Sequence, residues 1–254
     1  MPKLRLNKIL AQAGVTSRRG GDRLIADGHV AINGVVTREL ATLADPAVDV
    51  VTVDGRPIPS AETKRYVLLH KPRGYVTTRH DPQGRPIVTD LVADDERLYP
   101  VGRLDADVEG ALLLTNDGEL THRLLHPRYG LPRTYEADVD GRVTASDLPR
   151  WRAGVELDDG FARPLEASLA DEQGSPRGRT TTRLRLTFAE GRKHEVKRYC
   201  QALGHPVVRL RRIAFGPLTL GDLRLGASRE ITRRELAALR NAVAEAKPRR
   251  ERSD

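Results

Sequence analysis

A break near residue 60 divides the chain into two parts with different sequence patterns. Up to Val53 the chain is dense in short-range helix and turn signals, whereas β-type runs separated by glycine and proline follow Tyr66. Between them, Pro57 and Pro59 precede Ser60 and Ala61, and proline neither continues a helix nor donates to a sheet. We therefore predict a small domain at 1–60, a linker at 61–64, a larger domain at 65–246 and a charged, disordered tail at 247–254.

The charge balance favours a polyanionic partner. The 254 residues include 43 Lys and Arg against 35 Asp and Glu, a net charge of +8, and the sequence pI is near 9.9. Such an imbalance attracts nucleic acid, although a solvated basic surface would also account for it. Cys200 is the only cysteine, which excludes a disulfide within the chain and a cysteine-built zinc site. No apolar run is long enough for a membrane span, so we expect a soluble, cytoplasmic protein.

The first part predicts two helices and a hairpin. Apolar residues recur at helical spacing from Leu4 to Ala13, and Thr16 or Ser17 can cap a second helix that runs toward Gly28. The pair Asn33-Gly34, flanked by β-type residues, is typical of a tight hairpin because both positions tolerate positive φ. A further strand is expected at 50–53.

The second part predicts a larger domain with a mainly antiparallel sheet. Helical spacing occurs at 119–125, 194–203 and 232–246. The β-type runs lie at 66–69, 75–78, 135–139, 181–188 and 207–213. Because strands and helices do not alternate regularly, the whole chain is assigned to the α+β class.

Three sites in the larger part contain residues suited to catalysis or to binding a nucleic acid. Asp105 follows Arg103 in a turn before an apolar strand, where it could cap the turn or act as a catalytic carboxylate. Asp105 could also form the carboxylate pair of a glycosidase with Asp107 or Glu109, but nothing in the sequence marks either of these two as desolvated. Tyr135 could be core or a base-stacking platform.

A basic segment forms the third site. Seven Lys or Arg and one Glu lie between Arg192 and Arg212. Such density suits either a solvated face or a phosphate-binding surface, to which Arg192 and Arg198 would contribute. The seven histidines are scattered, and His122 and His126, at helical spacing, lack the glutamate of a zinc protease, so no metal site is predicted.

The first part resembles the S4 RNA-binding domain over residues 4 to about 55. The resemblance rests on Arg5-Leu6-Asn7-Lys8, Ala13-Gly14-Val15, Ser17-Arg18-Arg19, Leu24-Ile25, Gly28-His29-Val30 and Ile32-Asn33-Gly34. It implies that Lys8, Arg18 and Arg19 contact RNA phosphates, which supplies affinity and orientation but little sequence information.

With the S4-like part in front, residues 4 to 235 resemble the RsuA/RluB-type pseudouridine synthases of ribosomal RNA. The motifs are Lys71-Pro72-Arg73-Gly74-Tyr75-Val76-Thr77-Thr78, Gly102-Arg103-Leu104-Asp105, Arg133-Thr134-Tyr135, His194-Glu195-Val196-Lys197 and Gly216-Pro217-Leu218-Thr219-Leu220-Gly221. The resemblance implies that Asp105 is the catalytic aspartate, with Arg103, Tyr135 and Lys197 at the substrate. It also implies isomerisation of uridine without a cofactor.

The same segments bear on the target. This chain has Glu195, Val108 and Ala111 where glutamine, threonine and leucine are usual in the family. Glu195 resembles the large-subunit branch, whereas His194 and Lys197 resemble the small-subunit one. We expect large-subunit ribosomal RNA, or a pre-ribosomal particle, as the partner of a monomer. The alternatives are a non-catalytic RNA-binding or ribosome-assembly protein and an RNA glycosidase.

Overall fold

The computed structural model describes residues 3–59, 62–92, 98–170 and 180–244. It separates into two compact units, Met1–Lys64 and Arg65–Asp254. Ser60, the last residue of the expected small domain, Ala61, the first of the expected linker, and the expected tail at 247–254 lie outside the described residues. Along the described parts, no helix combines the length and the apolar character that crossing a membrane would require.

The first unit is built from two helices and short antiparallel strands. Its elements are β1 (Leu4–Arg5), α1 (Leu6–Gln12), α2 (Arg18–Asp27), β2 (Val30–Ile32), β3 (Val35–Val36), β4 (Leu43–Ala44), β5 (Val51–Val53) and β6 (Arg56–Pro57). The first helix begins two residues later than predicted, because Leu4 and Arg5 pair with β4. Leu6, Leu10 and Ile25 bring the two helices together over Val30 and Val51 in one apolar core.

Local signals set the boundaries in this unit. Ser17, rather than Thr16, caps α2, since its hydroxyl accepts a hydrogen bond from the Gly20 amide at 3.1 Å. The helix ends at Gly28 in the left-handed region. Asn33 and Gly34 both have positive φ, which gives the predicted tight turn between β2 and β3.

The second unit contains a large mixed sheet. Its strands are β7 (Tyr66–Lys71), β8 (Tyr99–Pro100), β9 (Glu109–Thr115), β10 (Arg133–Asp140), β11 (Val155–Leu157), β12 (Gly160–Ala162), β13 (Glu166–Leu169), β14 (Thr181–Phe188), β15 (Val207–Phe215), β16 (Leu218–Thr219) and β17 (Ser228–Glu230). The sheet order is β13-β14-β10-β15-β9-β7-β17, with β8 on β9 and β16 on β15, and β11–β12 form a separate hairpin. Among these paired strands of the described residues, only β9 and β15 run parallel.

Helices cover the centre of this sheet on both faces. They are α3 (Gly118–Leu125), α4 (Leu148–Ala153), α5 (Glu195–Ala202) and α6 (Arg233–Ala244). Alternate residues of β9 enter opposite cores: Leu112 and Leu114 join the core that contains Trp151, and Leu113 joins the one that contains Leu120. Burial on both faces accounts for the continuous apolar run of β9.

The α+β prediction is confirmed, but two local expectations differ from the structure. The strand predicted at 75–78 is wrong: Val76 makes only an isolated bridge to Ile87, and the Thr77 hydroxyl donates to the Leu104 carbonyl at 2.6 Å. The final helix begins at Arg233 instead of Thr232, which is its cap. The Thr232 hydroxyl accepts from the Glu235 amide, and the Glu235 carboxylate accepts from the Thr232 amide.

Candidate active site

The larger unit contains a cavity of about 1170 Å³. Four segments line it, at 101–108, 125–135, 189–197 and 210–215. Four residues that the sequence motifs predicted at the substrate contribute to this lining: Arg103, Asp105, Tyr135 and Lys197. Residues that are far apart in the sequence therefore meet at one place, as a catalytic interpretation of the motifs requires.

A buried lysine holds the loop that carries Asp105. Lys71 is fully buried, and its ammonium donates to the carbonyls of Pro72, Asp105 and Val108 at 3.0, 3.0 and 2.8 Å. The Ala106 carbonyl also lies 3.5 Å from this ammonium. Burial lowers the pKa of Lys71 to about 8, although nearby carboxylates oppose the shift. Because these contacts use backbone carbonyls, the lysine fixes the loop and leaves the Asp105 carboxylate to face the cavity.

Asp105 lies in a cluster of four ionisable groups. Its carboxylate is 39% exposed and lies 3.4 Å from the Lys197 ammonium and 3.5 Å from His194 Nε2. Asp105 is the weaker contact of Lys197, because the ammonium of this lysine binds both oxygens of Asp107 at 2.8 and 2.9 Å. The hydrogen bond from Lys197 lowers the pKa of Asp107. In the sequence, only the place of Asp107 two residues after Asp105 marked it.

Glu109 is buried, although nothing in the sequence marked it as desolvated. It is 3% exposed, and its carboxylate accepts from Arg209 at 2.6 and 3.1 Å. Glu109 is not among the residues that line the cavity. A glycosidase pair formed with Asp105 is therefore not supported, because the second carboxylate serves an ion pair elsewhere.

Tyr135 and Arg212 face each other on neighbouring strands. They are register partners on β10 and β15, and both line the cavity. Arg212 is 2% exposed, its Nε donates to the Ala111 carbonyl at 2.8 Å, and its Nη2 has no hydrogen-bond partner among the described residues. Burial lowers the pKa of the Arg212 guanidinium, and the neighbouring Tyr135 opposes that shift. In the sequence, Arg212 counts with the basic segment, and no local signal marks its burial.

The basic segment does not form one surface. Arg209 and Arg211 pair with Glu109 and Glu136, and strand alternation directs them to the face opposite Arg212. The side chains of Arg192 and Arg198 are also engaged: Arg192 donates to Asp159, Glu195 and backbone carbonyls, and Arg198 binds both oxygens of Asp159. The phosphate contacts of Arg192 and Arg198 stay predictions, and a phosphate would have to compete with these partners.

Other cations are better placed for an anion. Arg103 is exposed at the cavity and makes no hydrogen bond to the part of the chain that the structure describes. In the first unit, Arg18 and Arg19 are exposed in the first turn of α2, and Lys8 is half-buried on α1. None of these three forms an ion pair with a described residue. Their predicted contacts to RNA are consistent with this exposure.

Comparisons with known proteins agree with the two-part organisation. Residues 65–202 match the RNA pseudouridylate synthase family, and residues 4–49 match the S4 domain. The chain therefore belongs to the RNA pseudouridylate synthase family, whose members are isomerases. Membership in this family argues against the non-catalytic alternative, and the S4 domain makes RNA the partner.

Individual relatives are similar over nearly their whole length. An RNA pseudouridine synthase of Aquifex aeolicus is 48% identical over 245 residues, 96% of each chain. Ribosomal large subunit pseudouridine synthase B of Bacillus subtilis is 39% identical over 237 residues, 93% of this chain and 95% of that protein. A solved pseudouridylate synthase, 29% identical, covers 93% of this chain and 99% of its own, with a TM-score of 0.63.

Proposed function

We propose that this enzyme converts uridine to pseudouridine at a defined position of large-subunit ribosomal RNA, with Asp105 as its catalytic residue. The observation that carries the proposal is the half-buried Asp105 carboxylate in a cavity shared with Lys197 and Tyr135. The similarity to ribosomal large subunit pseudouridine synthase B supports the choice of RNA.

The reaction rearranges one nucleoside without redox change. The C1′–N1 bond breaks and its electron pair stays with the uracil. The base then turns, C5 bonds to C1′, C5 loses its proton and N1 gains one. An ionised carboxylate can attack the nucleoside or stabilise positive charge on the sugar, and no cofactor is needed for either role.

Each neighbour of Asp105 receives a role from its position. Lys197 favours the ionised carboxylate and restricts its direction. Tyr135 contacts the uracil by stacking. Because a stacked base cannot reach the cavity, the nucleotide must turn out of the RNA at a cost of about a few kcal/mol. Arg103, exposed and unpaired among the described residues, fills the vacated space or holds the adjacent backbone.

The first unit supplies affinity through Lys8, Arg18 and Arg19, which contact phosphates and position the RNA. We expect a cytoplasmic enzyme that acts as a monomer, since RNA rather than a second chain would cover the basic surfaces. The substrate is the RNA itself or a pre-ribosomal particle that contains it.

The proposal is tested with unmodified large- and small-subunit RNA transcripts and with partly assembled particles. Pseudouridine is mapped by carbodiimide-dependent reverse-transcription stops, with Asp105→Asn alongside. We expect a new stop on a large-subunit substrate with the unmutated protein alone, while Asp105→Asn binds RNA within a few fold. A fully active Asp105→Asn protein would contradict the role of Asp105, a stop only on small-subunit RNA would contradict the target, and free uracil would indicate a glycosidase.

A further inference from the structure

Arg212 is a buried cation for which the described residues provide no acidic partner. The guanidinium is 2% exposed, donates to the Ala111 carbonyl, and leaves Nη2 without a hydrogen-bond partner. Arg209 and Arg211 on the same strand each bind a glutamate. A buried charge without a counter-ion is costly, so its presence beside the cavity needs a physical reason.

The backbone holds Arg212 in this place. At Gly110 of the adjoining strand, φ is +129°, and a Cβ would collide with the Arg212 carbonyl oxygen. The parallel pair of Gly110 with Arg212 therefore requires glycine, and it brings the Arg212 backbone against β9. On the other side, Arg212 is the register partner of Tyr135. Opposite residues on paired strands project to the same face, so the guanidinium lies beside the tyrosine.

The reaction creates the missing negative charge. When the C1′–N1 bond breaks, its electron pair moves into the uracil and spreads over N1 and the two carbonyl oxygens. Lys197 is engaged by Asp105 and Asp107 and is therefore not free to neutralise the base. A fixed cation in a dry site stabilises developing charge far better than a solvated one.

We propose that Arg212 is a positioning residue that acts through Tyr135. Its Nη2 has no hydrogen-bond partner among the described residues; once the uracil is bound, it donates to the tyrosine hydroxyl, fixes the ring against the uracil and stabilises the negative charge of the departing base. This inference rests on the proposed function, since it assumes that Tyr135 contacts the uracil. It explains why a charged group is buried here and why glycine is required at the neighbouring position.

The test measures single-turnover pseudouridine formation and the RNA concentration at half-saturation. The variants are Arg212→Met, Arg212→Lys, Tyr135→Phe and the double variant Arg212→Met/Tyr135→Phe. We expect Arg212→Met to lower the maximal rate by about 100-fold, as for loss of one fixed donor, with half-saturation changed less than about threefold. Arg212→Lys should restore part of the rate. In the Tyr135→Phe background, Arg212→Met should cost much less, because the hydroxyl through which it acts is gone.

Arg211→Met is the matched control, since the same substitution falls one residue away, on the opposite face, in a side chain paired with Glu136. Folding of every variant is checked by the fluorescence of Trp151, which lies in the same unit. The inference would be overturned if Arg212→Met had the same maximal rate as the unmutated protein. It would also be overturned if Arg212→Met lowered the maximal rate by the same factor with Tyr135 as with Phe at that position. An unmutated protein that forms no pseudouridine on any substrate would instead contradict the proposed function and, with it, this inference.

Discussion

Replacing Lys71 with methionine should destabilise the larger unit and loosen the loop that carries Asp105. Methionine keeps most of the side-chain volume but cannot donate to the carbonyls of Pro72, Asp105 and Val108. Each buried carbonyl left without a donor costs about 1–3 kcal/mol, and removal of a buried charge offsets part of the sum. We expect the free energy of unfolding to fall by about 2–4 kcal/mol.

The assay is urea unfolding followed by tryptophan fluorescence. Trp151 is the only tryptophan and is buried in the larger unit, so the signal reports this unit alone. Lys193→Met is the control, because Lys193 is exposed and should tolerate the change within about 0.5 kcal/mol. If the free energy of unfolding of Lys71→Met also lies within about 0.5 kcal/mol of that of the unmutated protein, the hydrogen bonds of Lys71 do not stabilise the loop.

The same lysine predicts a pH dependence. Folding lowers the pKa of Lys71 from 10.5 to about 8. Between these values the unfolded chain binds more protons than the folded one, so this group's contribution to stability rises with pH. The stability difference between the unmutated protein and Lys71→Met should therefore be larger at about pH 9.5 than at about pH 7. A difference that stays constant or shrinks would contradict the lowered pKa.

Three further predictions concern other contacts. Gly110→Ala should destabilise the larger unit by at least about 3 kcal/mol in urea unfolding, because the new Cβ meets Arg212 backbone, whereas Gly204→Ala, with open space around it, should cost about 1–2 kcal/mol. Asp107→Asn should slow single-turnover modification by about tenfold, because Lys197 loses its ionised partner and binds the Asp105 carboxylate more closely. RNA affinity should stay equal or rise. A slower reaction together with weaker RNA binding would contradict this explanation. Ser17→Ala should raise hydrogen exchange at the Gly20 amide, for a loss of about 1 kcal/mol, and Thr16→Ala should not.

Elements with local signals were predictable from the sequence. The turn at Asn33-Gly34 depends on two residues that accept positive φ, and β14 has the predicted bounds, Thr181–Phe188, because its apolar pattern lies between turn signals. The segment at 75–78 shows the limit of such reasoning. Its residues favour a strand, but the Thr77 hydroxyl bonds to the backbone of Leu104. Among the described residues, the only β-type pairing of this segment is the isolated bridge from Val76 to Ile87.

The candidate site was predictable in its residues but not in its contacts. Asp105, Tyr135 and Lys197 were found through motifs, and the structure brings them to one cavity. The preference of Lys197 for Asp107 was not foreseen, because it depends on how two segments 90 residues apart approach each other. Arg212 was missed for a related reason: only the register of β15 against Tyr135 reveals that it is buried.

The position of β15 has a consequence for the order of events during synthesis. This strand lies between β10 and β9, both of which are translated before it, so these two strands are joined in the sheet only after β15 has been made. Domains fold from the N-terminus as the chain emerges, and pairings between distant residues form slowly. A nascent chain thus completes its S4 domain early, while the cavity still lacks Arg212. On the proposed function, we expect a growing chain to bind RNA through its S4 domain before it is able to modify that RNA.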